Sequence, residues 1–242
     1  MTYLLIDNSN TRTKFALSTP EALLKDRRMI PTRELSEERL EETLSGMLYD
    51  AVVVCSVVPR VADVLRNWLT VPYHFLTCDS SLGVGIDYPS PRQIGADRLA
   101  NAAGAVAYYG FPCIVVDFGT AVTFDVVGPE RAYLGGAIAP GLASMGDYLA
   151  RNTALLPAIE PHEPARAIGS STVEAMHSGA VYGYRGMVKE ILMRLEDELG
   201  ARPLVIATGG DAALIAKGVP RIDHVDPDIT LNGLRIAANL NL

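Results

Sequence analysis

Short aliphatic and β-branched runs alternate along this chain with stretches whose apolar residues recur at helical spacing. The runs 3–6 (YLLI), 51–57 (AVVVCSV), 113–117 (CIVVD), 121–127 (AVTFDVV) and 203–207 (PLVIA) read as strands. Helices are predicted at 36–48, 59–69, 95–109, 141–150, 172–199, 210–217 and 229–240. The first of these opens on Ser36 ahead of Glu37 and Glu38, an N-cap followed by acids that favour the positive end of the helix dipole. Strands and helices alternating at these lengths predict an α/β protein with a largely parallel central sheet. Residues 77–94 and 151–170 are the long irregular stretches, of a kind that often carries function.

The pattern also repeats. Set "LLIDNSNTRTKFAL" (4–17) above "IVVDFGTAVTFDVV" (114–127): three apolar residues precede an Asp in each. Asp7 then falls over Asp117, Ser9 over Gly119, Asn10 over Thr120 and Thr13 over Thr123. Each copy reads as strand, tight polar turn and strand, a hairpin with a carboxylate at its mouth. One copy opens the chain and the other lies near its middle, which suggests a duplication.

Composition narrows the classes of function. The chain has 242 residues, 49% hydrophobic and 20% charged, enough for one large domain or two lobes. A formal charge of −7 argues against a nucleic-acid surface, which needs a basic stripe. Cys55, Cys78 and Cys113 are odd in number and lack metal-ligand spacing, and Cys55 and Cys113 sit in apolar runs as buried thiols. Met1-Thr2-Tyr3 leads straight into a short apolar run ended by Asp7, and no apolar stretch approaches the roughly 18 residues of a membrane span. A cytoplasmic location without membrane contact is expected.

Two hairpin mouths of small and hydroxylated residues suit a nucleotide triphosphate. Ser9, Gly119, Thr120 and Ala121 let backbone N–H groups approach phosphate oxygens, and the hydroxyls of Ser9, Thr11 and Thr120 add donors. Asp7 and Asp117 would repel phosphate unless a cation lies between, so each is either a cation site or a turn residue capping local N–H groups. No G-x-x-x-x-G-K-[ST] is present, and no G-x-G-x-x-G lies between a strand and a helix. "ATGGDA" (207–212) sits at a strand-to-helix junction and reads as a nucleotide contact or as a simple turn. In "YPSPRQIGADRLANAAGA" (88–105), Asp97 and Arg98 project from the first turn of a predicted helix. Asp97 can serve the helix dipole or take a proton from a hydroxyl nucleophile, and Arg98 can grip a carboxylate.

Seven segments, "IDNSNTRTKFAL", "YPSPRQIGADR", "VDFGTAVTFD", "YLGGAIAPGL", "SSTVEAMHSGAVYG", "ATGGDA" and "DPDITLNGL", occur in the order and spacing of type III pantothenate kinases, which the chain resembles from end to end. The resemblance implies the duplicated ribonuclease H-like fold of actin and the sugar and acetate kinases: two lobes, 1–112 and 113–242, with an ATP cleft between them. It implies phosphorylation of pantothenate by Mg²⁺-ATP, the first step toward coenzyme A. On this reading Asp7, Asn8, Ser9, Asn10, Thr11, Arg12, Thr13 and Lys14 form a phosphate-binding hairpin, and Thr120 also contacts ATP. Asp117 holds a monovalent cation, potassium or ammonium. Asp97 is the general base on the pantothenate hydroxyl, and Tyr88, Gly95, Ala96, Asp97, Arg98 and Thr172 form the pantothenate site. A homodimer is implied, with helix 172–199 as the candidate interface element.

The family's first hairpin usually reads D-x-G-N-[ST], whereas Ser9 stands here in place of the glycine. If that position needs positive φ, Ser9 is strained by about 1 kcal/mol; if it needs only a small residue, Ser9 fits and adds a donor. Two other functions share the pattern: a small-molecule kinase with a different acceptor, and a regulatory accessory factor without catalysis. Asp97 and Arg98 favour the enzyme. His177 reads as a packing or helix-surface histidine, Trp68 as closing a helix onto the core, and 34–42 as a solvated acidic face. For Asp125 a metal role and a salt bridge stay open.

Overall fold

The computed structural model describes residues 1–242. The chain folds into two compact units, Met1–Gly110 with Arg131–Leu134 and Asp228–Leu242, and Phe111–Glu130 with Gly135–Pro227.

In unit 1, β1 (Tyr3–Asn8), β2 (Arg12–Ser18), β3 (Leu23–Pro31), β4 (Ala51–Ser56) and β5 (Tyr73–Phe75) form a sheet in the order β3-β2-β1-β4-β5. β1 runs antiparallel to β2 and parallel to β4, and every one of its residues is buried. A central strand covered on both faces needs an unbroken apolar run, which Leu4, Leu5 and Ile6 supply. Helices α1 (Glu37–Leu44) and α2 (Pro59–Trp68) close the core around Leu4, Ile6, Phe15, Val52 and Val54, with Trp68 packed against it. Ser36 caps α1 by accepting the Arg39 N–H, and Glu37, Glu38, Glu41 and Glu42 face solvent. The short β6 (Gly85–Ile86) leads to α3 (Ala96–Tyr109).

In unit 2, β7 (Cys113–Phe118), β8 (Ala121–Val127), β9 (Ala132–Pro140), β10 (Leu204–Gly209) and β11 (His224–Val225) take the order β9-β8-β7-β10-β11. That repeats the topology of unit 1 strand for strand: a hairpin and third strand on one side, two parallel strands on the other. The core gathers Ile114, Val116, Phe118, Val122 and Phe124 with Tyr184 and Val188. α4 (Leu142–Asn152), α5 (Thr172–Leu199) and α6 (Ala212–Ala216) complete it. Ser171 caps α5 through the Glu174 N–H, and Gly200 ends it in the left-handed conformation with φ 64°.

The unit boundary differs from the expected continuous lobes 1–112 and 113–242. α7 (Ile229–Asn241) belongs to unit 1 because it packs on α3 almost backbone to backbone. A Cβ at Gly233 would lie 1.8 Å from the Ala100 carbonyl oxygen, and one at Gly104 2.3 Å from that of Ile229. Residues 131–134 also belong to unit 1, where Ala132 and Tyr133 pair with Gly85 and Ile86 of β6.

The strands missed by hydrophobic patterning have clear causes. β3 carries Lys25, Asp26, Arg27 and Arg28 in succession because it is a sheet edge with solvent on its exposed residues. β9 contains Gly135 and Gly136, which weaken any strand signal. β5, β6 and β11 are only two or three residues long.

Candidate functional site

The two hairpins share one scaffold with a difference of a single residue. β2 and β8 have the same burial pattern, which sets Lys14-Phe15 in correspondence with Thr123-Phe124. Asp7 faces Lys14 across the first hairpin, and Asp117 faces Thr123 across the second. The second turn is therefore one residue shorter, and the ungapped match of Thr13 with Thr123 is corrected: Thr123 corresponds to Lys14.

In unit 1, Asp7 is buried and ion-paired with the half-exposed Lys14 at 3.3 Å. Burial raises its carboxyl above the usual range, and Lys14 pulls it partly back. Asn8 and Thr13 are buried too, and their side chains serve the turn: Asn8 Nδ2 donates to Thr13 Oγ1 at 2.7 Å, while Ser56 Oγ donates to Asn8 Oδ1 at 2.6 Å. Thr32 Oγ1 lies 3.0 Å from Thr13 Oγ1 and donates to the Ser9 carbonyl at 2.7 Å. Ser56 and Thr32 thus brace the hairpin; Thr32 directly follows β3, an edge strand that hydrophobic pattern did not reveal.

Ser9 is unstrained. Arg131 is the one non-glycine residue with positive φ, so neither Ser9 nor its neighbours Asn8 and Asn10 take such an angle. The Ser9 N–H and hydroxyl both reach the Arg12 carbonyl, at 3.1 and 3.0 Å. The exposed tip, Asn10, Thr11 and Arg12, borders a hollow of about 460 Å³ floored by Met29, Ile30 and Pro31.

Also in unit 1, Gly95 caps α3 and Asp97 occupies its first turn after Ala96. Asp97 Oδ1 accepts the Arg98 N–H at 2.9 Å. Burial raises the Asp97 carboxyl above its ordinary range; the Arg98 N–H counteracts this, the nearby Asp7 charge adds to it, and the Arg98 charge opposes it. A Cβ at Gly95 would stand 2.5 Å from Asp97 Oδ1, so glycine there leaves the carboxylate its place. Arg98 lies over the ring of Tyr133, 5.7 Å from its centroid, and the Tyr88 ring meets it in a T-shaped contact, centroids 6.2 Å apart. Tyr88, Gly95, Ala96, Asp97 and Arg98 thus fall in one neighbourhood. Tyr133 joins them; sequence reasoning missed it, its only trace being its place at the head of YLGG.

In unit 2, Asp117 is half-buried at the end of β7, and the exposed Thr120 lies in the turn. The Thr120 carbonyl accepts the Gly141 N–H at 3.1 Å and the Ser144 hydroxyl at 3.0 Å. The glycine turn of "ATGGDA" abuts this hairpin. Gly209 has φ 91°, and a Cβ there would lie 2.5 Å from the Phe118 carbonyl oxygen and 2.7 Å from Asp117 Oδ1. Asp125 is buried and accepts the Thr123 hydroxyl at 3.1 Å. No group of three or more His, Cys, Asp and Glu is placed to hold a metal ion. Thr172 begins α5 and lines an apolar cavity of about 840 Å³ with Met145, Leu149, Ile159 and Met176. His177, a further α5 residue, is buried and packs against His162 with ring centroids 3.8 Å apart and planes tilted by 48°. No helix is long and apolar enough to cross a membrane.

Residues 3–194 match the family described as type III pantothenate kinase. The type III pantothenate kinase of Akkermansia muciniphila is 79% identical over 242 residues, covering 100% of both chains. Among solved structures, a conserved putative Baf family transcriptional activator from Campylobacter jejuni superposes with a TM-score of 0.66 at 20% identity, covering 99% of this chain and 100% of that one. A putative sugar kinase from Cytophaga hutchinsonii superposes with a TM-score of 0.51 at 14% identity, covering 97% and 98%. At these identities the two structures speak to fold alone, the two-lobe ribonuclease H-like fold of the sugar kinases. The chain belongs to the type III pantothenate kinase family, kinases that phosphorylate pantothenate with ATP in the first step of coenzyme A biosynthesis.

Proposed function

We propose that this chain transfers the γ-phosphoryl group of Mg²⁺-ATP to the pantothenate hydroxyl with Asp97 as general base. The observation that carries this reading is the Asp97 carboxyl itself: half-buried in the first turn of α3, raised by burial and by Asp7, and followed directly by Arg98. A base must take a proton readily, and a carboxyl raised from its ordinary range is the more basic once ionised. Arg98 supplies the counter-charge for the pantothenate carboxylate, with Tyr88, Gly95, Ala96 and Thr172 as the remaining acceptor-site residues. ATP is held by the hairpin Asp7 to Lys14 and by Thr120. Within that hairpin the exposed Asn10, Thr11 and Arg12 meet phosphate, while the buried Asn8 and Thr13 hold the turn in shape.

Asp117 takes a monovalent cation, potassium or ammonium. A cation is favoured here because the neutral Thr123 stands where the first hairpin has Lys14. When bound, such an ion supplies positive charge next to phosphate oxygens. The protein acts as a cytoplasmic homodimer, with α5 as interface element; its partly exposed Val173 and Tyr182, and Met145 and Tyr148 on α4, offer apolar surface for this.

The test is formation of 4′-phosphopantothenate by purified protein with Mg²⁺-ATP and pantothenate. Asp97→Asn should fold and bind ATP while losing roughly 10²–10⁴-fold in turnover, the usual share of a general base. Wild-type kcat/KM should show an acid limb above the ordinary aspartate range, because the raised Asp97 must lose its proton to act. Full turnover by the Asn variant would remove Asp97 from the mechanism.

A further inference from the structure

Tyr133 has no part in the phosphoryl transfer described above, yet it is fully buried beside two residues that do. It reaches them by two routes. Through the main chain, its carbonyl accepts the Asp87 N–H at 2.9 Å, and it pairs with Ile86, which fixes the strand leading into Tyr88. Through the side chain, its ring lies under the Arg98 guanidinium at 5.7 Å and meets the Tyr88 ring in a T-shaped contact, centroids 6.2 Å apart. All of these contacts lie within unit 1, although Tyr133 is far along the chain from the others.

We propose that Tyr133 is a positioning residue for the acceptor substrate, its ring holding Arg98 and Tyr88 in the orientation that receives the pantothenate carboxylate. The proposal rests on the reading of Arg98 as the carboxylate-binding residue. An arginine side chain has many rotamers, and a guanidinium that must search among them binds an anion less well than one already aimed. The face of an aromatic ring attracts a cation through its quadrupole, more strongly where water is excluded, as at a fully buried tyrosine. The T-shaped contact with Tyr88 sets a positive ring edge toward a negative ring face, a favourable arrangement of the two quadrupoles. Tyr133 thus joins two elements that otherwise meet only as separate segments of sequence. Both contacts are made by the ring, so a phenyl ring should serve.

The experiment is steady-state kinetics of the full chain with both substrates varied, on Tyr133→Phe, Tyr133→Leu, and a protein carrying pentafluorophenylalanine at position 133. The fluorinated ring keeps the shape and reverses the quadrupole, so it carries the test if the leucine variant fails to fold. Tyr133→Phe should stay within about twofold of wild type in the pantothenate KM. The leucine and fluorinated proteins should raise that KM roughly 3–20-fold, with kcat and the ATP KM nearly unchanged, as expected for loss of a cation–π contact. On an Arg98→Gln background the fluorinated ring should add no further rise. An unchanged pantothenate KM in the fluorinated protein overturns the proposal, as does an equal rise in both KM values, which would indicate a merely structural role. If Arg98→Gln itself leaves the pantothenate KM unaltered, the reading of Arg98 fails and the proposal falls with it. A rise for Arg98→Gln without one for the Tyr133 variants sinks the positioning role alone.

Discussion

The β1–β2 and β7–β8 hairpins are built alike and charged differently. Both begin on a buried apolar strand whose penultimate residue is an Asp, return through strands of the same burial pattern, and place a buried Phe, Phe15 or Phe124, at the same point of the return. Opposite the carboxylate they part. Asp7 faces Lys14 and forms an ion pair with it, whereas Asp117 faces the uncharged Thr123. One hairpin carries its own counter-ion across the strand and the other leaves that place to a hydroxyl. A duplicated scaffold can thus give its two copies different electrostatic tasks by changing the residue opposite the carboxylate.

Putting a lysine into the second copy should have the largest effect. Thr123→Lys would supply from the chain the charge proposed to come from potassium, and the ratio of rates in potassium and sodium should fall roughly tenfold toward one, a change of about 1.4 kcal/mol. Initial rates in the two salts measure it directly, and a ratio as high as that of wild type would break the correspondence with Lys14.

Removing the lysine from the first copy should come next. Lys14→Met leaves the Asp7 carboxyl buried without its partner; since the amine of Lys14 is half-exposed, the expected loss of stability is about 1 kcal/mol. Its pH dependence has a definite sign. Asp7 already has a raised folded-state pKa, which the variant raises further. Its contribution to stability is therefore intact below the ordinary carboxylate range and is lost as pH climbs through the raised value. Denaturant unfolding at several pH values should show the deficit relative to wild type growing from acid toward neutral, and a deficit independent of pH would contradict the burial argument.

Ser9→Gly should be the mildest. With no positive φ to relieve, glycine removes the hydroxyl bond to Arg12 and adds unfolded-state freedom, costing about 0.5–1 kcal/mol. Thermal melts and calorimetric ATP titration check this; a gain in either stability or affinity would mean that the family glycine is preferred for its backbone.

Much of this architecture was legible in the sequence because burial imposes period and composition together. The core runs of β1, β4, β7, β8 and β10 are apolar enough to be read directly, and α5 spans the expected 172–199. The echo of Asp7 in Asp117 revealed the duplication. Its register was not legible, because a turn shortened by one residue shifts the return strand without altering its alternation. The site was legible where chemistry is dense, at GADR and at the hairpin mouths. Tyr133 was not, since its role comes from a pairing with β6 and a ring contact that no local pattern encodes. α7 was placed with the wrong half of the chain for the same reason: its partner is the distant α3, met through Gly104 and Gly233.

The contrast between the hairpins is tested most directly by phosphopantothenate formation at saturating Mg²⁺-ATP and pantothenate, for wild type and Asp117→Asn side by side, in potassium and in sodium. The account predicts a wild type clearly faster in potassium, and an Asp117→Asn protein that folds normally but has lost most of that difference. Equal wild-type rates in the two salts, or potassium activation that survives in Asp117→Asn, would contradict it.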